Sequence, residues 1–355
     1  MAPIINALRL DKKTFDCRVV ATAQHRQLLD QVLNFFGIAA DIDLNIMRPN
    51  QQLAELTARM LPKLDELLVS EKPDWVLAQG DTTTVFVTAL ACFYRRIKFG
   101  HVEAGLRTGD KYFPFPEEMN RVLAGHLADI HFAPTSKARE NLLAEGISKE
   151  QIIVTGNTVV DALRWATNRL TLPSLPVHRD GRLLLVTAHR RENFGRPLEE
   201  ICEALVELLD RYPDTWVLYP VHPNPNVGPV VERILGKRPQ VALCAPLGYL
   251  EFLAAMKAAT LILSDSGGVQ EEAPSLGKPV LVLRDETERT EAIAAGCACL
   301  VGPHRENIVR EASRLLEDPA AYARMANVHN PFGDGRAAER ICAALANRRL
   351  EPFTG

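Results

Sequence analysis

The sequence predicts two α/β domains, each built on a doubly wound parallel sheet, facing one another across a central cleft. Three observations predict this. Apolar runs of strand length alternate with amphipathic helical stretches along almost the whole chain. The texture changes near Asn168–Arg182, where Pro173 and Pro176 sit in a stretch without periodicity. The length, 355 residues, suits two domains of ~150 residues each.

The elements follow in order. Met1–Leu8 reads as a helix with Ile4, Ile5 and Leu8 on one face. The first strand comes after it, at Cys17–Ala23. Helices near His25–Phe36 and Leu53–Ser70 alternate with strands at Asp74–Ala78 and Ile97–Val102. A helix over Glu117–Leu127 gathers Met119, Val122, Leu123 and Leu127, and strands follow at Asp129–Ala133 and Gln151–Thr155. The second series has strands at Leu183–Thr187, Thr215–Val221, Gln240–Cys244, Thr260–Ser264, Pro279–Leu283 and Ala298–Val301. Their apolar runs are nearly continuous, as in strands buried on both faces. The predicted domains are 1–168, a linker at 169–182, and 183–335. A closing helical segment, 336–355, packs back on the first domain. A doubly wound lobe usually opens with a central strand, whereas this one opens with a helix. The expectation is a recorded sequence that starts at an internal methionine; the alternative is another segment filling the gap. Each unmatched buried backbone group there would cost ~1–3 kcal/mol.

Composition excludes several functions. The formal charge is −3, with no basic run to grip nucleic acid. Seven cysteines are scattered without a CxxC, and only Cys297 and Cys299 lie close together. That argues against a zinc site or a disulfide framework and for a reducing cytoplasm. There is no HxxxH pair or compact Asp cluster, so no metal is expected. No apolar run approaches the ~20 residues that span a bilayer. Asn6, Arg9, Asp11 and Lys12 interrupt the opening stretch too early for a secretory signal.

The chemistry concentrates in Ser264–Pro279, SDSGGVQEEAPSLGKP. It reads as strand, glycine turn, short helix ending at Gly277, strand. Gly267 and Gly268 let backbone approach a ligand closely, and the helix start aims N–H groups and partial positive charge at a phosphate. Glu271 and Glu272 follow, expected in the first helical turn. There they either complement the helix dipole or, for one of them, accept hydrogen bonds from two sugar hydroxyls. Phosphate donors beside a hydroxyl acceptor fit a nucleotide.

Ligands of such sheets bind beyond the carboxyl ends of strands. Asp81 follows the strand at Val76–Ala78, Glu103 follows Phe99–Val102, and His189 follows Leu184–Thr187. Glu117 opens a helix with Arg121 four residues on. Each has a structural explanation: Asp81 as a helix cap, Glu117 paired with Arg121, His189 as a core histidine. Three strand ends delivering ionisable groups toward one cleft point instead to proton transfer beside a pyrophosphate.

Long motifs carry a resemblance. GDTTT at 80–84, GHVEAGLRTGD at 100–110, FPEEMNR at 115–121, TGNTVVDAL at 155–163, AHRREN at 188–193, YPVHPNP at 219–225, DSGGVQEEAPSLGKPVLVLRD at 265–285 and NPFGDG at 330–335 together resemble the non-hydrolysing UDP-N-acetylglucosamine 2-epimerases. The resemblance runs from Met1 to about Arg348. It implies the two-lobed GT-B fold and reversible epimerisation of UDP-GlcNAc to UDP-ManNAc. The route implied is anti elimination of UDP to 2-acetamidoglucal, followed by re-addition. By motif, Asp81, Glu103 and Glu117 become the acid/base group, and His189 the cleft histidine that contacts the pyrophosphate or assists proton transfer. Arg121 joins the substrate contacts, Ser266, Gly267 and Gly268 hold phosphate, Glu272 the ribose, Arg289 adds positive charge, and Phe252 lies near the uracil. Some members bind a second UDP-GlcNAc as activator, which would fall at Gln24, His25, Gln27, Arg59 and His222. No cofactor and no metal are implied, and a cytoplasmic homodimer is. One departure is large: the family's opening strand and its Gly-Thr-Arg-Pro-Glu-Ala-x-Lys stretch have no counterpart here. Losing one such cationic phosphate contact typically costs ~2–4 kcal/mol of transition-state stabilisation, so a longer gene product is expected to be the active epimerase. The alternatives are a GT-B glycosyltransferase acting on a UDP-sugar, a hydrolysing relative, and a catalytically impaired UDP-sugar-binding protein.

Overall fold

Continuous apolar runs bury both faces of a strand, and parallel strands need helical crossovers to return. The computed structural model describes residues 1–22, 33–46, 48, 51–169, 173–175 and 180–355. The chain divides into two units, Met1–Ala162 with Phe332–Gly355, and Leu163–Pro331.

The second unit holds strands β7 (Arg182–Thr187), β8 (Thr215–Pro220), β9 (Val241–Cys244), β10 (Leu261–Ser264), β11 (Val280–Val282) and β12 (Ala298–Leu300). They form one sheet in the order β12-β11-β10-β7-β8-β9, with every pairing parallel. The chain therefore winds one way from β7 and then the other, so the order reverses between β7 and β10. At such a reversal the loops after the two strands diverge and leave a crevice. The sheet is held by helices such as α7 (Arg196–Arg211), whose Leu198, Ile201, Cys202, Leu205, Leu208 and Leu209 are buried at helical spacing.

The first unit opens with α1 (Ala2–Leu10), followed by a two-stranded parallel pair, β1 (Val20–Ala21) and β2 (Ile42–Asp43). Of the strand expected at 17–23, Val20–Ala21 is strand, and residue 23 lies outside the described residues. β2 went unpredicted because two residues show no periodicity. Most of the helix expected at 25–36 also lies outside the described residues. A parallel sheet β3 (Trp75–Gln79), β4 (Lys98–Val102), β5 (Ile130–Ala133) and β6 (Ile152–Val154) follows in sequence order. Helices α2 (Leu53–Glu71), α3 (Thr83–Arg95) and α4 (Glu117–Leu127) cover one core, and α5 (Ser136–Ala144) another. The last helix, α14 (Ala337–Leu345), packs with α1 through Ile341, Ala338, Ile4 and Leu8. Its first backbone amides, at Ala337 and Ala338, donate to the buried Asp161 carboxylate at 3.2 and 2.8 Å.

Gly105 shows how tightly these layers meet. Its φ is +91°, and an added Cβ would lie 2.2 Å from the Ala138 carbonyl oxygen of α5.

Candidate functional site

Each unit presents its own cluster beyond the carboxyl ends of its strands. In the second unit Ser264 pairs in register with Thr187, and their hydroxyls lie 2.7 Å apart. The two chains leave the sheet side by side, one into Ala188–Asn193 and one into Asp265–Gly268. Asp265, fully buried, ties them together. Its Oδ2 accepts the backbone N–H of His189 at 2.7 Å, that of Arg190 at 2.8 Å, and the Asn193 side-chain amide at 3.0 Å. Its Oδ1 lies 3.4 Å from His189 Nδ1. His189 stacks on His222, with centroids 5.3 Å apart and planes 11° from parallel. Burial lowers the His189 pKa; Asp265 opposes this, while His222 and Arg190 add to it. The imidazole is thus biased toward its neutral form, with an edge still open to solvent.

The helix after this turn, α10 (Gly267–Glu272), starts at Ser266 and runs into a 3-10 turn that ends at Gly277 with φ +65°. Gly267 is required for a specific reason. A Cβ there would sit 2.9 Å from Arg289 Cζ, so the guanidinium lies directly over the glycine. Arg289 Nε donates to Glu271 at 2.9 Å and its Nη1 to Glu288 at 2.5 Å. Burial raises the Glu288 pKa, but Arg289 and Arg284 outweigh it and hold the group at about 2.

Glu271 and Glu272 occupy the end of α10, not its first turn, which carries no acidic group. The dipole explanation therefore fails; the helix begins one residue before the glycine pair ends. Glu271 pairs with Arg289. Glu272 is 7% exposed, and burial, then the Glu271 charge, pushes its pKa up to about 8, with the Tyr249 hydroxyl opposing. Phe252 is half-buried on α9 (Tyr249–Ala258).

In the first unit, Asp81 follows β3 and Glu103 follows β4. Asp81 does not cap α3, whose N-cap is Thr82 with no side-chain bond. Instead its Oδ2 accepts Arg121 Nε at 2.9 Å and Nη2 at 2.6 Å. Arg121 Nη1 donates to Glu118 at 3.0 Å. The i,i+4 pairing of Glu117 with Arg121 thus gives way to i,i+3 pairing with Glu118, because Glu118 is buried and Glu117 stays half-exposed at the helix start. Glu103 adopts φ +63°, a left-handed backbone that is costly for a side-chain-bearing residue and that concentrates at functional sites. Its carboxylate accepts Gln79 Nε2 at 3.0 Å. His101, buried in β4, has its Nε2 2.8 Å from the Gly80 carbonyl, so that nitrogen carries the proton and pins the turn before Asp81.

The structure thus joins Asp81 to Arg121, and His189 to Ser266, Gly267 and Arg289 through Asp265 and the glycine turn. Arg59 is half-buried on α2 and bonds Gln51. His222 lies against His189. Gln24, His25 and Gln27 lie outside the described residues. Sequence reasoning passed over Asp265, Glu118, Gln79 and Asn193. Asp265 sat inside the quoted turn, and Glu118 is three residues from Arg121, so a spacing signal existed for both. Gln79 and Asn193 carried none. Among the described residues, no group of three or more His, Cys, Asp or Glu could hold a metal ion.

The family model for UDP-N-acetylglucosamine 2-epimerase matches residues 8–346. The chain belongs to the UDP-N-acetylglucosamine 2-epimerase family. A relative of that name from Escherichia coli O157:H7 is 53% identical over 360 residues, covering 99% of this chain and 96% of the relative. The solved UDP-GlcNAc 2-epimerase of Neisseria meningitidis bound to UDP-GlcNAc superposes with a TM-score of 0.91 at 47% identity, covering 98% of this chain and 96% of that one. The S. aureus MnaA–UDP co-structure gives 0.89 at 45%, covering 100% and 95%. Likeness at this level assigns this family member the GT-B class, two Rossmann-like units. No helix among the described residues is long and apolar enough to cross a membrane.

Proposed function

We propose that the protein interconverts UDP-GlcNAc and UDP-ManNAc. The observation that carries this is the full-length likeness to epimerases, one of them solved with UDP-GlcNAc bound. The anchored His189 and glycine-turn loops are consistent with it. A base removes the C2 proton while the bond from C1 to the β-phosphate oxygen breaks, leaving a C1=C2 double bond in 2-acetamidoglucal and free UDP. Protonation at C2 from the opposite face and return of the phosphate oxygen to C1 give the epimer.

The C2 proton is weakly acidic, so the reaction needs the departing diphosphate stabilised. Preorganised donors aimed at developing charge supply such stabilisation. In our reading the Ser266, Gly267 and Gly268 amides, Arg289 and neutral His189 take that role. Glu272 receives the ribose hydroxyls and Phe252 flanks the uracil. Asp81, Glu103 and Glu117 handle the C2 proton, with Arg121 beside them. The stretch 169–182 acts as the linker. A second UDP-GlcNAc bound near Gln24, His25, Gln27, Arg59 and His222 would act as activator. A homodimer would cover the exposed Phe93 and Tyr94, which are 62% and 60% open. Seven free thiols fit a cytoplasmic setting.

The test is to incubate the protein with UDP-GlcNAc alone in deuterated water and follow it by NMR. UDP-ManNAc carrying deuterium at C2 is expected. A glycosyltransferase would leave C2 protonated, and a hydrolysing enzyme would release UDP in step with free ManNAc.

A further inference from the structure

Glu118 is 3% exposed and lies one residue from Glu117, which masks it in the sequence. Its two oxygens do different things. Oε1 accepts the adjacent backbone N–H groups of Thr108 and Gly109, both at 3.0 Å. Oε2 accepts Arg121 Nη1, also at 3.0 Å. Arg121, 5% exposed, then places Nε and Nη2 on Asp81 Oδ2. Asn120, on the same helix, donates to the Asp81 main-chain carbonyl at 2.9 Å.

An arginine facing one carboxylate usually forks symmetrically onto both oxygens. Here the fork is divided between two carboxylates. Among the described residues both Asp81 bonds fall on Oδ2 and none on Oδ1. A guanidinium is planar and rigid, so fixing Nη1 on Glu118 sets the direction of Nε and Nη2. Glu118 cannot swing away, because two backbone amides hold its other oxygen. Thr108 is itself tied into its loop, its hydroxyl donating to the Phe113 carbonyl at 2.5 Å.

The geometry points to Glu118 as a positioning residue: acting through Arg121, it holds Asp81 by one oxygen, keeps the other available for the substrate's proton, and couples that arrangement to the loop at Thr108–Gly109. This rests on the epimerase reading above. Misplacing an acid/base group by about 1 Å costs on the order of 100-fold in rate.

Glu118→Gln is the informative variant, since it keeps a carbonyl for the two amides while removing the charge that orients Arg121. Its kcat is expected to fall roughly 10- to 100-fold, with KM for UDP-GlcNAc within about 3-fold and UDP affinity unchanged. The decisive readout is a cycle with Asp81→Asn. If Glu118 acts through Asp81, the double variant is no slower than Asp81→Asn alone, because coupled residues do not add. Additive losses, or Glu118→Gln turning over at the wild-type rate, overturn the proposal. If Glu118→Gln fails to fold, Arg121→Lys, which cannot divide a fork, enters the same cycle with the same expected non-additivity. If the wild type makes no UDP-ManNAc, the epimerase reading fails. Thermal melts of the same variants then decide the relay alone: non-additive losses support it and additive ones reject it.

Discussion

Gly267 is the position where one atom decides most. The Arg289 guanidinium occupies the space a side chain would need, and the obstructing group is the mobile end of a long side chain. Gly267→Ala should therefore displace Arg289 rather than disturb the fold. Loss of one such charged donor is worth ~3 kcal/mol of transition-state stabilisation, a fall of about 100-fold in kcat/KM. The melting temperature should fall as well, because a displaced guanidinium leaves the nearly buried Glu271 and Glu288 carboxylates without that partner. Steady-state kinetics beside a thermal melt checks this. Glu272 makes a different prediction. Its folded pKa of about 8 lies above the ordinary carboxyl value of 4.5, so folding takes up a proton between those pH values. That contribution is fully present below about pH 4.5 and is lost as pH rises through 8, a change on the order of 5 kcal/mol. Glu272→Gln, which stays neutral, should flatten that part of the stability curve in urea titrations from pH 5 to 9. An unchanged slope would remove the buried-carboxyl explanation.

β4 and β5 carry the acid weakness of the first unit. His101 and His131 are register partners, and both are fully buried. Burial lowers His101 to about 4, with Arg107 and Arg121 adding to it and Gly80 and Asp81 opposing. Burial likewise lowers His131 to about 3, with His101, Arg107 and His126 adding. Each must gain a proton on unfolding below its ordinary value of 6.5. Stability from these two groups is flat above about pH 6.5 and falls as pH drops toward 4, by on the order of 3 kcal/mol for His101 alone. His131→Phe should shift the acid midpoint of unfolding downward, as read by circular dichroism. At the contact with α5, Gly105→Ala meets backbone, not a flexible tip, and also needs a left-handed φ. Destabilisation of at least ~2 kcal/mol is expected.

Across the whole chain, the strand–helix alternation and the turn at Ser264–Gly268 were legible beforehand, since both depend on residues near one another. Asp81, Glu103 and His189 were legible as strand-end groups for the same reason. What stayed hidden were the partners. Arg121 reaches Asp81 across 40 positions and His189 reaches Asp265 across 76, and no local spacing encodes such pairings.

The α/β class, the glycine turn and the family resemblance are written in the residue order, because periodicity, glycine placement and long motifs are properties of the chain read from end to end. It takes the folded chain to divide Arg121 between Asp81 and Glu118, to clamp the His189 loop with Asp265, and to turn Glu271 to Arg289 instead of the helix dipole. Each of those outcomes is set by which strands lie side by side and which carboxylates lose their water, and both follow from packing, not from sequence distance.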